Sequence, residues 1–181
     1  MAFLAGLTGP VSRNKDQWAL FPKIDFRIND RNTLSADWNH MRWNSIHGIQ
    51  TAGVVARGVA SWGDDFVNVD TVNARLVSLI TDHVTNEFRT SIGREDQFEN
   101  SNPPGPGEPT TGPGGRPPAA TVSRTGSGSF VIGKPNFLER AHLPLETRIQ
   151  FTNIMTAVIS NHLLKFGFDV NRSHDTSWIS P

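Results

Sequence analysis

The chain has 181 residues, about one domain's worth, with 17 basic residues against 17 acidic and no cysteine. Zero net charge supplies no basic excess for phosphates, which argues against a free-standing nucleic-acid binder, and the lack of Cys removes disulfide scaffolds, thiolate nucleophiles and Cys-ligated metal sites. Only 36% of residues are hydrophobic, too few for a large dry core.

From the N-terminus, Met1 to Pro10 carry no basic region and break early at Gly and Pro, so no signal peptide is expected. A period-2 pattern then begins: Ile24, Phe26 and Ile28 alternate with Lys23, Asp25, Arg27 and Asn29. Asp30-Arg31-Asn32 reads as a very short turn into Leu34, Ala36 and Trp38, which alternate with Ser35, Asp37 and Asn39. After Asn39 the apolar phase moves to Met41 and Trp43, which predicts a bulge or a strand leaving its buried zone. This first hairpin spans about 18–44.

Residues 44–66 are Gly-rich and irregular, and a long loop is expected there. A second hairpin, about 67–98, runs from Val72, Ala74, Leu76 and Ile80 through Thr81-Asp82-His83 into Phe88, Thr90 and Ile92, with Glu87, Arg89 and Ser91 on the opposite face. Residues 99–144 form a second long loop whose Pro- and Gly-rich middle excludes helix and central strand. A third hairpin, about 145–173, carries Ile149, Phe151, Met155, Ala157 and Ile159, turns at Ser160-Asn161-His162, and ends on Leu164, Phe166, Phe168 and Val170 alternating with Lys165, Gly167, Asp169 and Asn171.

The expectation is therefore an all-β fold of about six strands, each roughly 10 to 15 residues long, in three tight antiparallel hairpins joined by long loops. No apolar stretch reaches the roughly 18 residues of a spanning helix, so any membrane role must come from strands. Alternating segments with tight turns on one side and long loops on the other are the pattern of an outer-membrane barrel, with lipid outside and a polar lumen. On that reading Lys23, Asp25, Arg27, Asp37, Glu87, Arg89, Lys165 and Asp169 face the lumen, and Trp18, Trp38 and Trp43 contribute to interfacial girdles.

Several strings resemble the barrel of TonB-dependent outer-membrane receptors of the Oar-like type. They are Phe21-Pro-Lys-Ile-Asp25, Ile28-Asn-Asp30, Trp38-Asn-His-Met-Arg-Trp43, Gly48-Ile-Gln-Thr51, Asn86-Glu-Phe-Arg89, Gly93-Arg-Glu95, Phe137-Leu-Glu-Arg140, Arg148-Ile-Gln150 and His162-Leu-Leu-Lys-Phe-Gly-Phe-Asp169. They occur in order over roughly residues 8 to 175. The resemblance implies a barrel of about 22 strands with a plug in its lumen, energised by the inner-membrane TonB complex to import a small ligand whose identity the sequence does not give. No plug domain is recognisable here, and about six strands fall short of the eight in the smallest barrels. The chain is accordingly expected to be one segment of such a receptor, in the outer membrane, with membrane lipid, the remainder of the barrel, the plug and the TonB complex as partners and nucleic acid excluded.

Other residue groups suggest chemistry but read more plainly. His162, Lys165 and Asp169 form a turn and one strand face, and Ser173-His174-Asp175 has the residue types of a hydrolase triad without its spacing. Asp64, Asp65 and Asp70 resemble a calcium loop, yet do not match the EF-hand spacing. The six His are scattered without ligand spacing, and no Gly-rich stretch precedes a helix to cradle phosphate. Neither a catalytic residue, a metal nor a cofactor is expected, and the chain is not expected to be an enzyme. Two alternatives stand beside the receptor reading: a soluble secreted β-sandwich binding module, which would pack Ile24, Phe26 and Ile28 against Phe166, Phe168 and Val170, and a non-functional truncated gene product, whose free strand edges would aggregate.

Overall fold

A computed structural model of the chain describes residues 2–48, 55–59, 61–111, 117–123, 128–133 and 145–176. A single helical turn, α1 (Ala2–Gly6), precedes ten strands: β1 (Asn14–Leu20), β2 (Lys23–Asn29), β3 (Asn32–Ile46), β4 (Val55–Arg57), β5 (Gly63–Thr81), β6 (Val84–Ser101), β7 (Ala120–Ser123), β8 (Ser129–Ile132), β9 (Leu145–Ile159) and β10 (His162–Thr176). Among the described residues the main sheet follows the order β1-β3-β5-β6-β9-β10, with β2 also paired to β3. Its path is open, ending on β10 at one side and on β1 and β2 at the other. Phe21 and Pro22 separate β1 from β2, as expected where proline withholds a ladder donor. Pro22 still accepts from the Trp38 amide at 3.1 Å, so β1 and β2 act as one interrupted strand beside β3.

Six strand rows in three hairpins therefore make an antiparallel, all-β sheet. The turns are two residues long, at Asp30-Arg31, Asp82-His83 and Ser160-Asn161. In the first, Asn29 Oδ1 accepts from the Arg31 amide and from Asn32 Nδ2, both at 2.9 Å, which is the Asx-type closure that places Asn before a turn. In the third, Ser160 takes a left-handed φ of 55°. The first two turns are also tied to a neighbouring strand: Leu79 donates to the Arg31 carbonyl at 2.7 Å and Val158 to the His83 carbonyl at 2.8 Å.

Two features differ from the sequence-based expectation. The strands are longer, with β5 at 19 residues and β6 at 18, so both extend into segments expected to be loops. Those segments also hold a second sheet, β4-β8-β7, with a parallel β4–β8 pair and an antiparallel β7–β8 pair. Period-2 reading failed there because the strands are only three or four residues long.

The phase change after Asn39 is not a bulge. Trp38, His40 and Arg42, alternate residues of β3, all reach Asp70, so the backbone keeps its alternation and only the side-chain chemistry changes.

The chain forms two compact units, one of residues 1–17, 43–67 and 97–143, the other of residues 18–42, 68–96 and 144–181. The first has a small core: Leu7, 2% exposed, with Val131, Ser45 and Ser61. Its loops are stitched by backbone bonds, Val59 to Leu7 at 2.8 Å, Gly58 to Val131 at 2.9 Å and Asn102 to Trp62 at 3.0 Å. Arg13 donates to the carbonyls of His47 and Gly48 and lies 5.2 Å over the Trp62 ring, and Phe66 stacks on Phe98. Of the Pro- and Gly-rich segment, residues 105–108 close a turn in which Glu108 accepts the Gly105 amide at 2.8 Å. Gly107 there has a φ of 79°, a conformation that favours glycine.

The second unit has no buried apolar core among the described residues. Ile24 is 63% exposed, Phe26 56%, Phe166 60% and Phe168 59%. The soluble-sandwich alternative needs these faces packed on one another, and that packing is not present. Burying one such side chain is worth about 1.5–3 kcal/mol, so a row of them left bare in water is not a stable arrangement. Their solvent must be apolar.

Candidate functional site

Directly opposed residues of an antiparallel pair share a face, so the registers assign every side chain to one side of the sheet. In β2–β3, Lys23 lies opposite Asp37, Asp25 opposite Ser35 and Arg27 opposite Thr33. In β6–β9, Glu87 lies opposite Ile154 and Arg89 opposite Thr152; in β9–β10, Asp169 lies opposite Thr152 and Lys165 opposite Thr156. Two contacts from β5 join these blocks: Asn73 donates to Asp37 at 2.7 Å and Arg75 to Glu87 at 2.8 Å. All eight residues expected to share a polar face thus lie on one side of the sheet.

That side is a connected polar wall. Lys23 pairs with Asp25 at 3.2 Å, and Ser35 donates to Asp25 at 2.5 Å. Glu87 is held between Arg75 and Arg89, so both guanidinium groups share one carboxylate. Asp169 accepts from Gln150 at 2.9 Å and from the Thr152 hydroxyl. Arg27 instead reaches Asp30 in the turn, at 2.7 Å. A trough of about 470 Å³ lies on this wall, bordered by Lys23, Asp37, Asn73, Arg75, Arg89 and Thr152, and a second of about 330 Å³ is bordered by Ser91, Gly93 and Arg148. Towards the loop end the register sets Glu95, Glu146 and Asp175 side by side, an acidic row in which like charges face each other.

The opposite side is apolar from the turns upward. On β6 it runs from Val84 to Ile92 and on β9 from Ile149 to Ile159, facing Leu164, Phe166, Phe168 and Val170 of β10. At about 3.3 Å per residue and a tilt of roughly 40°, these runs give a band about 20–25 Å tall, close to the apolar band of an outer-membrane barrel. Above it the same side becomes charged, with Asp70, Arg94 and Arg172 each two residues beyond an apolar neighbour.

This strand pattern agrees with the comparison to known families. A family model described as outer membrane beta barrel domain matches residues 5–180. The chain belongs to the outer-membrane β-barrel domain family. No curated protein and no solved structure matches it. Family membership supports an outer-membrane location, and among the described residues no helix is long and apolar enough to cross a membrane.

The remaining candidates of this barrel domain disperse. Ser173 donates to Glu146 at 3.0 Å on the polar side while His174, its neighbour, takes the opposite side, so no triad assembles. Asp64 accepts the His47 amide at 2.9 Å, and Asp70 is occupied by His40 and Arg42, so the three loop aspartates do not converge. Asn86, the chain neighbour of Glu87, lies on the apolar side, because its register partner Met155 faces Phe166. The strings Gly48-Ile-Gln-Thr51 and Phe137-Leu-Glu-Arg140 lie wholly or mostly outside the described residues.

Sequence reading set Ser35 on the polar face but missed Asn73, Arg75, Gln150 and Thr152, which complete the wall with it. The neutral members carry little signal alone. Arg75 was findable, since it alternates with Asn73 against Val72, Ala74 and Leu76. It also missed that Trp38, His40 and Arg42 share a side with Asp70, although their i, i+2 spacing was visible.

Proposed function

We propose that this chain is one sector of the barrel of a TonB-dependent, Oar-like outer-membrane receptor, and that it serves ligand uptake across that membrane without catalysing a reaction. The polar wall lines the lumen and contacts the plug, the apolar side meets lipid, and the long connections border the ligand entrance. One observation carries the reading: a six-row sheet with a hydrogen-bonded polar wall on one side, an apolar band on the other, and open edges at β10 and at β1 and β2. Unpaired edge donors and acceptors cannot sit in lipid, so further strands must complete the barrel. Six rows are also fewer than the smallest closed barrels use.

Ser91 lies on the wall between the two troughs and is small enough to exchange for cysteine. In intact cells carrying the full receptor with Ser91→Cys, a membrane-impermeant maleimide should label the thiol, and collapsing the proton gradient should change the rate, because a TonB-driven plug then stops moving. Labelling that is indifferent to the gradient contradicts the TonB assignment, and a thiol unreactive from water contradicts the lumen assignment.

A further inference from the structure

Among the described residues β10 is hydrogen-bonded on one side only, and its 15 residues pair with β9 without a register shift. Nothing blunts its free edge: the strand holds no proline, no bulge and a single lysine. On its polar side the middle residues turn inward to β9. Asp169 accepts from Gln150 and Thr152, Asn171 accepts from Arg148 at 3.1 Å, and Ser173 donates to Glu146 at 3.0 Å. The two charged residues that bracket them, Lys165 and Asp175, have no side-chain partner among the described residues. Across β9, Lys165 faces Thr156, flanked on the same side by Ile154 and Val158, none of them a carboxylate. Asp175 faces Glu146, which in turn faces Glu95, so the residue directly opposite it is a like charge.

We infer that the strand completing the β10 edge runs antiparallel to it and presents a carboxylate opposite Lys165 and a basic side chain opposite Asp175, with uncharged residues between them on the water side and apolar ones facing lipid. This rests on the proposal that the sheet is a sector of a larger barrel, and it names the strand that borders that sector. Bare edge donors and acceptors cannot remain in lipid, so a partner must be there. Directly opposed side chains of an antiparallel pair lie about 4.5–5.5 Å apart, near enough for an ion pair, while like charges so placed are unfavourable. An acid opposite Asp175 would lengthen the acidic row, and a base opposite Lys165 would set two cations together. Because the two charges lie towards opposite ends of β10, a slipped strand loses both pairs, so the pattern fixes register as well as composition.

The test co-folds the full chain, carrying Asn171→Cys, into lipid vesicles with a synthetic peptide as long as β10. The peptide alternates Leu and Thr, with Glu facing Lys165, Lys facing Asp175 and one Cys facing position 171; the chain has no other thiol. Disulfide capture of this peptide about tenfold above that of a peptide with Glu and Lys exchanged is expected, and the Lys165→Glu/Asp175→Lys pair in the chain should reverse the preference. Capture should also fall about tenfold when the peptide Cys is moved to the next position on the same face, and undiminished capture there overturns the fixed register. Equal capture of the two peptides, or a preference that survives the exchange in the chain, overturns the charge pattern but leaves the barrel sector standing. Capture of neither peptide overturns more, because an edge that takes no strand in lipid contradicts the sector reading itself.

Discussion

Asn86 and Asn153 show what the band tolerates. They lie on the apolar side, among Phe88, Met155 and Phe168, and each amide donates to the other's oxygen, at 3.0 and 3.1 Å. Asn86 also reaches the Ile154 carbonyl at 3.4 Å. An unpartnered amide in hydrocarbon costs on the order of 1–3 kcal/mol, while a reciprocal pair hides most of that cost and pins β6 to β9. Asn86→Val and Asn153→Val should therefore each destabilise the complete barrel in lipid vesicles by about 1–2 kcal/mol, read from urea unfolding, while the double variant returns close to the parent. Additive losses would mean that the two amides do not act as a pair. Alternation could not reveal this pair, because asparagine fits either side and only the β6–β9 register brings residues 67 positions apart together.

At the scale of strands, the third hairpin depends on one close approach. A Cβ at Gly167 would fall on the Asn153 carbonyl oxygen and crowd the Ile154 Cα, both backbone atoms of β9. At Gly93 it would meet the Thr71 hydroxyl at 3.1 Å, a side-chain atom that can give way. Gly167→Ala should accordingly cost about 1–3 kcal/mol and Gly93→Ala distinctly less, measured as the shift in the urea midpoint of the vesicle-inserted protein. The opposite ranking would mean that the β9–β10 spacing is wrong. Hairpins and turns were legible because a two-sided strand writes its environment into every second residue, as in Leu164 to Val170. The short strands β4, β7 and β8 were not, since three or four residues carry too few alternations and their pairing joins segments far apart in sequence. The eight charged wall residues were readable from alternation alone, but their partners Asn73 and Thr152 needed the register.

For the whole molecule, the deciding balance is between two solvents. The exposed aliphatic and aromatic residues of the main sheet are unfavourable in water and comfortable in lipid, whereas the Lys23, Glu87, Arg89 and Asp169 wall is the reverse. A sheet with both properties is stable only where lipid and water meet across it, which is the situation of a barrel wall. The most direct test exploits the absence of native cysteine. Single cysteines are placed along β10 at Leu164, Lys165, Phe166, Phe168, Asp169 and Asn171 in the membrane-inserted protein, and each is scored for reaction with a water-soluble maleimide and for contact with a lipid-soluble quencher. The account predicts strict alternation, with 165, 169 and 171 reactive from water and 164, 166 and 168 reached only from lipid. Uniform access from water along the strand, or alternation of the opposite phase, would contradict it.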